Sequence, residues 1–147
     1  MFKSINGGRL PERATKYSAG FDVFANENIM IGAGETKLVS LGIAIDLDRS
    51  ADLDYFKCIG LLESYYLHLH PRSSIRLKGI GGGIGVIDID YKDEIKMVMT
   101  APSSNQYLVT RGDKIGQMVL MKHEGFIMPV GYTKMQERIG SFGSTGL

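Results

Sequence analysis

Nineteen glycines are spread through 147 residues, well above the average share of about 7%. They break the chain at short intervals, and the runs between them alternate with period two. Leu41, Ile43 and Ile45 fall on one face of a strand. Leu67 and Leu69 alternate with His68 and His70. Ile87, Ile89 and Tyr91 alternate with Asp88 and Asp90, and Ile95, Met97 and Met99 with Lys96 and Val98. Many short alternating runs separated by turn residues predict antiparallel strands in a sandwich, barrel or jelly roll. Helical signal is sparse. The ambiguous stretch is Asp46 to Tyr66, whose Asp-Leu-Asp-Arg-Ser-Ala-Asp-Leu-Asp run suits a short capped helix or a polar loop.

The length fits one domain over residues 1–147, and such a chain can bury a core without disulfides or metals. Seventeen basic and sixteen acidic residues leave a net charge of +1. That balance excludes a polycationic coat for nucleic acid, so no nucleic-acid partner is expected. Cys58 is the single cysteine, which excludes an intrachain disulfide and a cysteine-based zinc site. Met1 to Gly8 contains no apolar signal core, and no stretch approaches the ~18 apolar residues of a membrane span. A cytoplasmic, membrane-free location is expected. The C-terminal run from Gly140 to Leu147 is too small and polar to pack a core, and its glycines suit backbone contact with an anion.

Four islands carry candidate chemistry. Asp22 is the one charge in Ala19 to Ala25; it needs a partner, a metal or solvent, and taken alone the pattern favours solvent. Pro71-Arg72-Ser73-Ser74 offers a guanidinium fork and two hydroxyls at a strand end, a set that suits phosphate oxygens. Gly79 to Asp90 reads as a tight glycine hairpin that a ligand can approach closely, with apolar Val86-Ile87 leading to Asp88. Asp88 suits a general base or a ribose acceptor, and Tyr91 can stack on a flat ligand. Gln117, in Gly112-Asp113-Lys114-Ile115-Gly116-Gln117, is an amide inside an apolar strand and needs a hydrogen-bond partner. His68 and His70 share a strand face, but no third ligand stands at metal spacing.

In order, these islands resemble the five motifs of the trimeric dUTP pyrophosphatase (dUTPase) family. Ala19-Gly20-Phe21-Asp22-Val23 is similar to the first and Pro71-Arg72-Ser73-Ser74 to the second. Gly85-Val86-Ile87-Asp88-Ile89-Asp90-Tyr91 is similar to the third, the most specific of the set. Gly112 to Gln117 resembles the fourth, and Arg138 with Phe142-Gly143-Ser144-Thr145-Gly146 the fifth. The resemblance spans Ala19 to Gly146. It implies an all-β jelly roll or distorted barrel, assembled as a homotrimer that exchanges C-terminal arms, with sites between subunits. It implies hydrolysis of dUTP to dUMP and pyrophosphate with Mg²⁺ on the triphosphate.

By the same resemblance, Asp88 is the catalytic base and Asp22 reaches Mg²⁺ through water. Arg72, Ser73, Ser74, Gln117 and Arg138 hold phosphate oxygens. Tyr91 lies under the deoxyribose and excludes a 2′-hydroxyl. The backbone near Gly82 and Gly83 reads uracil, with Val86, Ile87 and Lys96 close by. Phe142, Gly143 and Ser144 belong to an arm over residues 138–147 that closes the site, Phe142 stacking on the base. Four features depart from the family pattern. Ser74 replaces a glycine, Lys92-Asp93 replaces Arg-Gly, the fifth motif is one residue short, and residues 46–66 form an insertion. A dCTP deaminase, of the same fold, would need a glutamate where this chain has Val98. A non-catalytic regulatory protein on the same scaffold is the other alternative.

Overall fold

The computed structural model describes residues 1–47, 57, 60–83 and 85–124. Eleven short strands are found among them. β1 (Phe2–Ser4), β5 (Thr36–Ile45), β7 (Gly81–Gly82) and β9 (Ile95–Thr100) form a four-stranded sheet in the order β1-β5-β9-β7. β2 (Glu12–Arg13), β3 (Gly20–Phe24), β6 (Tyr65–Pro71), β8 (Gly85–Asp88) and β11 (Lys114–Lys122) form a five-stranded sheet in the order β2-β3-β11-β6-β8. β4 (Ile29–Ile31) and β10 (Tyr107–Val109) make a two-stranded ribbon. All pairings are antiparallel. Two single-turn helices complete the described elements, α1 (Leu61–Ser64) and α2 (Ser73–Arg76). None of the described helices is long and apolar enough to cross a membrane.

The alternation in the sequence is the alternation in burial. In β9, Ile95, Met97 and Met99 are buried while Lys96, Val98 and Thr100 face outward. In β6, Leu67 and Leu69 point inward and His68 and His70 outward. The inward residues of both sheets join one apolar cluster that includes Val39, Leu41, Ile43, Met97, Leu69 and Met118. The sheets approach closely where Gly116 faces Met97: a Cβ there would lie 2.9 Å from the Met97 sulfur. This is how two half-apolar sheets bury their faces against each other.

The structure corrects the expectation of a glycine hairpin. The glycine-rich segment from Gly79 is not a hairpin. β7 pairs with β9 in one sheet and β8 pairs with β6 in the other, so the chain crosses between sheets within a few residues. Glycine allows the crossing because the backbones run close: a Cβ on Gly82 would sit 3.1 Å from the Val98 carbonyl oxygen and 3.3 Å from Pro71. Of the ambiguous 46–66 stretch, α1 is described near its end; residues 48–56, 58 and 59 lie outside the described residues.

β5 carries a glycine in a left-handed conformation. Its pairing with β9 shifts register between Ser40 and Ile43, and Gly42 there has φ of 62°. A Cβ on Gly42 would fall 2.6 Å from Asn26 Cγ and 2.7 Å from the Gly8 Cα. Gly42→Ala therefore combines left-handed strain with an overlap against backbone. The expected loss is roughly 2–4 kcal/mol, seen as a lower urea midpoint at unchanged m-value.

Candidate active site

Asp22 lies in the middle of β3, opposite Gln117 of β11, which is itself opposite His70 of β6. These three residues form one row on the face of the five-stranded sheet that turns away from the core, with Glu12 of β2 at its edge. Asp22 is nevertheless only 3% exposed, which overturns the expectation of a solvent-facing charge. Two cations cover it. Lys114 Nζ donates to Asp22 Oδ2 at 3.0 Å, and Arg72 Nε stands 3.4 Å from Oδ1. Lys114 also lies over the Phe24 ring, and the Arg9 guanidinium stacks on that ring at 3.9 Å from its centroid. Arg9 in turn bonds Glu12 at 2.6 Å through two contacts and holds its carboxyl below the ordinary carboxylate range.

Arg72 is delivered by the end of β6. Pro71 closes the strand, the Arg72 N–H donates to the Ile115 carbonyl, and the Arg72 carbonyl then accepts from the N–H of Ile75 and of Arg76 to start α2. Ser73 and Ser74 stand exposed in that first turn, where backbone N–H groups have no intrahelical acceptor. Gln117 is half-buried beside this group. Arg72, Ser73, Ser74, Gln117 and Asp22 are thus gathered at one end of the sheet. Lys114 belongs with them; it stands in the fourth motif, but local sequence assigns it no role because its partner Asp22 is 92 residues away in the chain.

Asp88 occupies the other end. It closes β8, is exposed, and lies opposite Tyr66 of β6. Val86, two residues earlier and 66% exposed, faces outward opposite His68. Ile87 points the other way and packs against the core, so Val86 and Ile87 cannot both present side chains to one ligand. Asp88 and Val86 line an open cleft of about 470 Å³ with Tyr66, Ile89 and His123. Tyr66 and His123 come from β6 and from the chain beyond β11, and no local pattern marked them. After β8 the chain turns: the Tyr91 N–H donates to the Asp88 carbonyl and the Tyr91 hydroxyl to the Glu94 carbonyl. Tyr91 therefore sits in a turn instead of extending the strand. Gly82 lies in β7, the edge strand of the four-stranded sheet, Gly83 directly follows it, and Lys96 lies on the adjacent inner strand β9. Arg138, Phe142, Gly143 and Ser144 lie outside the described residues.

The two groups are far apart within one chain. Along β6 the Asp88 row and the Asp22 row are separated by roughly 13 Å and across three strand spacings by roughly 14 Å, so about 19 Å overall. That exceeds the two P–O–P bridges between the first and last phosphorus of a triphosphate.

The outward row of β6 between them carries Tyr66, His68 and His70. The two imidazoles are 4.1 Å apart between centroids, and Tyr66 contacts both His68 and His123. Among the described residues no group of three or more His, Cys, Asp or Glu could hold a metal ion. Burial, and then the neighbouring His68, hold the His70 imidazole below its ordinary value of 6.5. A depressed histidine stabilises the fold fully above the unfolded value and loses that contribution as pH falls through the folded value. Thermal stability should therefore drop between pH 7.5 and pH 5.5. His70→Gln should flatten the drop when Tm is followed across that range.

Comparison with known proteins points to one family. The sequence model of the dUTPase family matches residues 55–146. The deoxyuridine 5′-triphosphate nucleotidohydrolase of Rickettsia felis is 34% identical over 95% of this chain and 90% of its own. Among solved structures, the dUTPase of Streptococcus mutans is 26% identical with a TM-score of 0.66, covering 88% of this chain and 98% of that one. A variant dUTPase from phage phi11 of S. aureus, described with a structural Mg(II) ion, has a TM-score of 0.71 at 17% identity, covering 88% and 94%. The fold is that of a jelly-roll nucleotide hydrolase. The chain belongs to the dUTPase family.

Proposed function

We propose that Asp88 activates the water with which this enzyme hydrolyses dUTP to dUMP and pyrophosphate, at a site that a second copy of the chain completes. Family membership carries the reaction; neither a deaminase nor a non-catalytic protein finds support in the comparisons. The deaminase position is held by Val98, which moves no proton. The observation that carries the assignment of the base is the position of Asp88, an exposed carboxylate beside the cleft within the most specific motif.

In this scheme Asp88 accepts a proton from water as its oxygen bonds the α-phosphorus. The bond from that phosphorus to the bridging oxygen breaks, and pyrophosphate leaves. Arg72, Ser73, Ser74 and Gln117 hold phosphate oxygens. Tyr91 lies under the deoxyribose, and the backbone at Gly82 and Gly83 reads uracil with Val86, Ile87 and Lys96 nearby. The distance between the Asp88 and Asp22 rows supports sites that draw Asp88 from one copy and the Asp22 cluster with Arg72 from another, in an assembly that the family resemblance makes a homotrimer. Arg138, Phe142, Gly143 and Ser144 act on an arm, residues 138–147, that closes over a neighbour's site.

Mg²⁺ fits this chemistry as an ion carried by the triphosphate. Both Asp22 oxygens already face cations, yet a carboxylate keeps further lone pairs, and magnesium retains several waters. Asp22 would therefore hold it through water. When bound, the ion neutralises charge on the phosphate oxygens.

Asp88→Asn keeps the shape of the side chain but cannot take the proton. It should lower kcat by about 10²–10⁴-fold while nucleotide affinity, followed by calorimetry, changes little. A wild-type-like kcat would remove Asp88 from its role. Tyr91→Ala should raise relative turnover of UTP more than that of dCTP, since the ring is assigned to the sugar. Unchanged discrimination against UTP would contradict that assignment.

A further inference from the structure

We infer that Glu94 is a positioning residue for sugar selection: its side chain fixes the turn that carries Tyr91. The inference rests on dUTP being the substrate. Tyr91 lies between β8 and β9, in the turn over residues 89–94. Its hydroxyl donates to the Glu94 carbonyl at 3.4 Å and its N–H to the Asp88 carbonyl at 3.1 Å. One end of this turn is therefore the base-bearing strand and the other is Glu94.

The Glu94 side chain is anchored where β5 departs from β9. The pairing of these strands shifts between Ser40 and Ile43, which removes the ladder partner of the Gly42 N–H. Glu94 Oε1 accepts that N–H at 3.0 Å and also accepts from the Ser40 hydroxyl in a short bond. The surrounding backbone is equally tied. The Ser40 N–H donates to Glu27, the Ser40 carbonyl accepts from the Asn26 N–H, and the Gly42 carbonyl accepts from the Ile5 N–H. Glu94 thus joins the turn to a rigid irregularity in the long strand. Its side chain is 23% exposed, with Lys96 Nζ 3.9 Å from the other oxygen. A carboxylate so engaged holds geometry.

Discrimination against a 2′-hydroxyl requires the Tyr91 ring to stay in place, because a ring that yields admits the larger sugar. Base recognition is assigned to Gly82 and Gly83, on a different segment.

The experiment measures kcat/KM for dUTP, UTP and dCTP with wild type, Glu94→Ala, Glu94→Gln and Ser40→Ala. Glu94→Ala should lose about tenfold of the preference for dUTP over UTP and keep the preference for dUTP over dCTP. Glu94→Gln retains an oxygen that accepts from Gly42 and should recover most of the loss. An unchanged dUTP-to-UTP ratio in Glu94→Ala overturns the inference, and so does an equal loss toward all three nucleotides, which marks a general structural role. If Glu94→Ala does not fold, Ser40→Ala decides. It removes one bond to Glu94 and should shift the same ratio by about threefold, and no shift overturns the inference. Absence of dUTP hydrolysis in wild type refutes the substrate and the inference together. Wild-type hydrolysis with an unmoved ratio refutes Glu94 alone.

Discussion

The buried carboxylate of Asp22 is the constraint around which one end of the five-stranded sheet is arranged. A carboxylate taken out of water needs cations and donors close by. Here they come from the end of β6, through Arg72, and the start of β11, through Lys114. Both strands must therefore end beside the middle of β3, and the order β3-β11-β6 satisfies that requirement. The two cations remain partly exposed, so the cluster presents positive charge outward while its negative charge stays inside. Locally this turns a chain of net charge +1 into a surface suited to a polyanion.

The same sheet that gathers these groups keeps them away from Asp88. β8 is the edge strand beyond β6, and Asp88 stands at its far end. The row of Asp22 and the row of Asp88 stand about 19 Å apart, so one triphosphate does not reach from one carboxylate to the other within a chain. In the proposed trimer, rotational symmetry would remove the difficulty: each copy would supply a base to one site and a phosphate grip to another. Between the two lie the outward Tyr66, His68 and His70.

The strands of the core were legible wherever one face is apolar and the other is not. Leu67 and Leu69 against His68 and His70, and Ile95, Met97 and Met99 against Lys96 and Val98, give the same pattern in sequence and in burial. The candidate site residues Asp22, Arg72 and Gln117 were legible through motif resemblance, and the structure brings them together. Tertiary pairing was not legible. Asp22 looked solvent-facing because its partners are 50 and 92 residues away. The glycine segment looked like a hairpin because local sequence cannot tell that β7 and β8 pair with strands of different sheets. Glu94 had no signal at all, since its acceptor role depends on a register shift in β5.

If base and phosphate grip in one site come from different chains, subunits with different defects should complement each other on mixing. Arg72→Ala and Asp88→Asn proteins are each nearly inactive in this account. Unfolded and refolded together in equal amounts, they should form mixed trimers in which about a quarter of sites pair an intact Arg72 with an intact Asp88. Activity on dUTP should return to about a quarter of wild type. Mixed trimers confirmed by native mass spectrometry but without recovered activity would contradict the claim, because sites built from single chains always carry one defect.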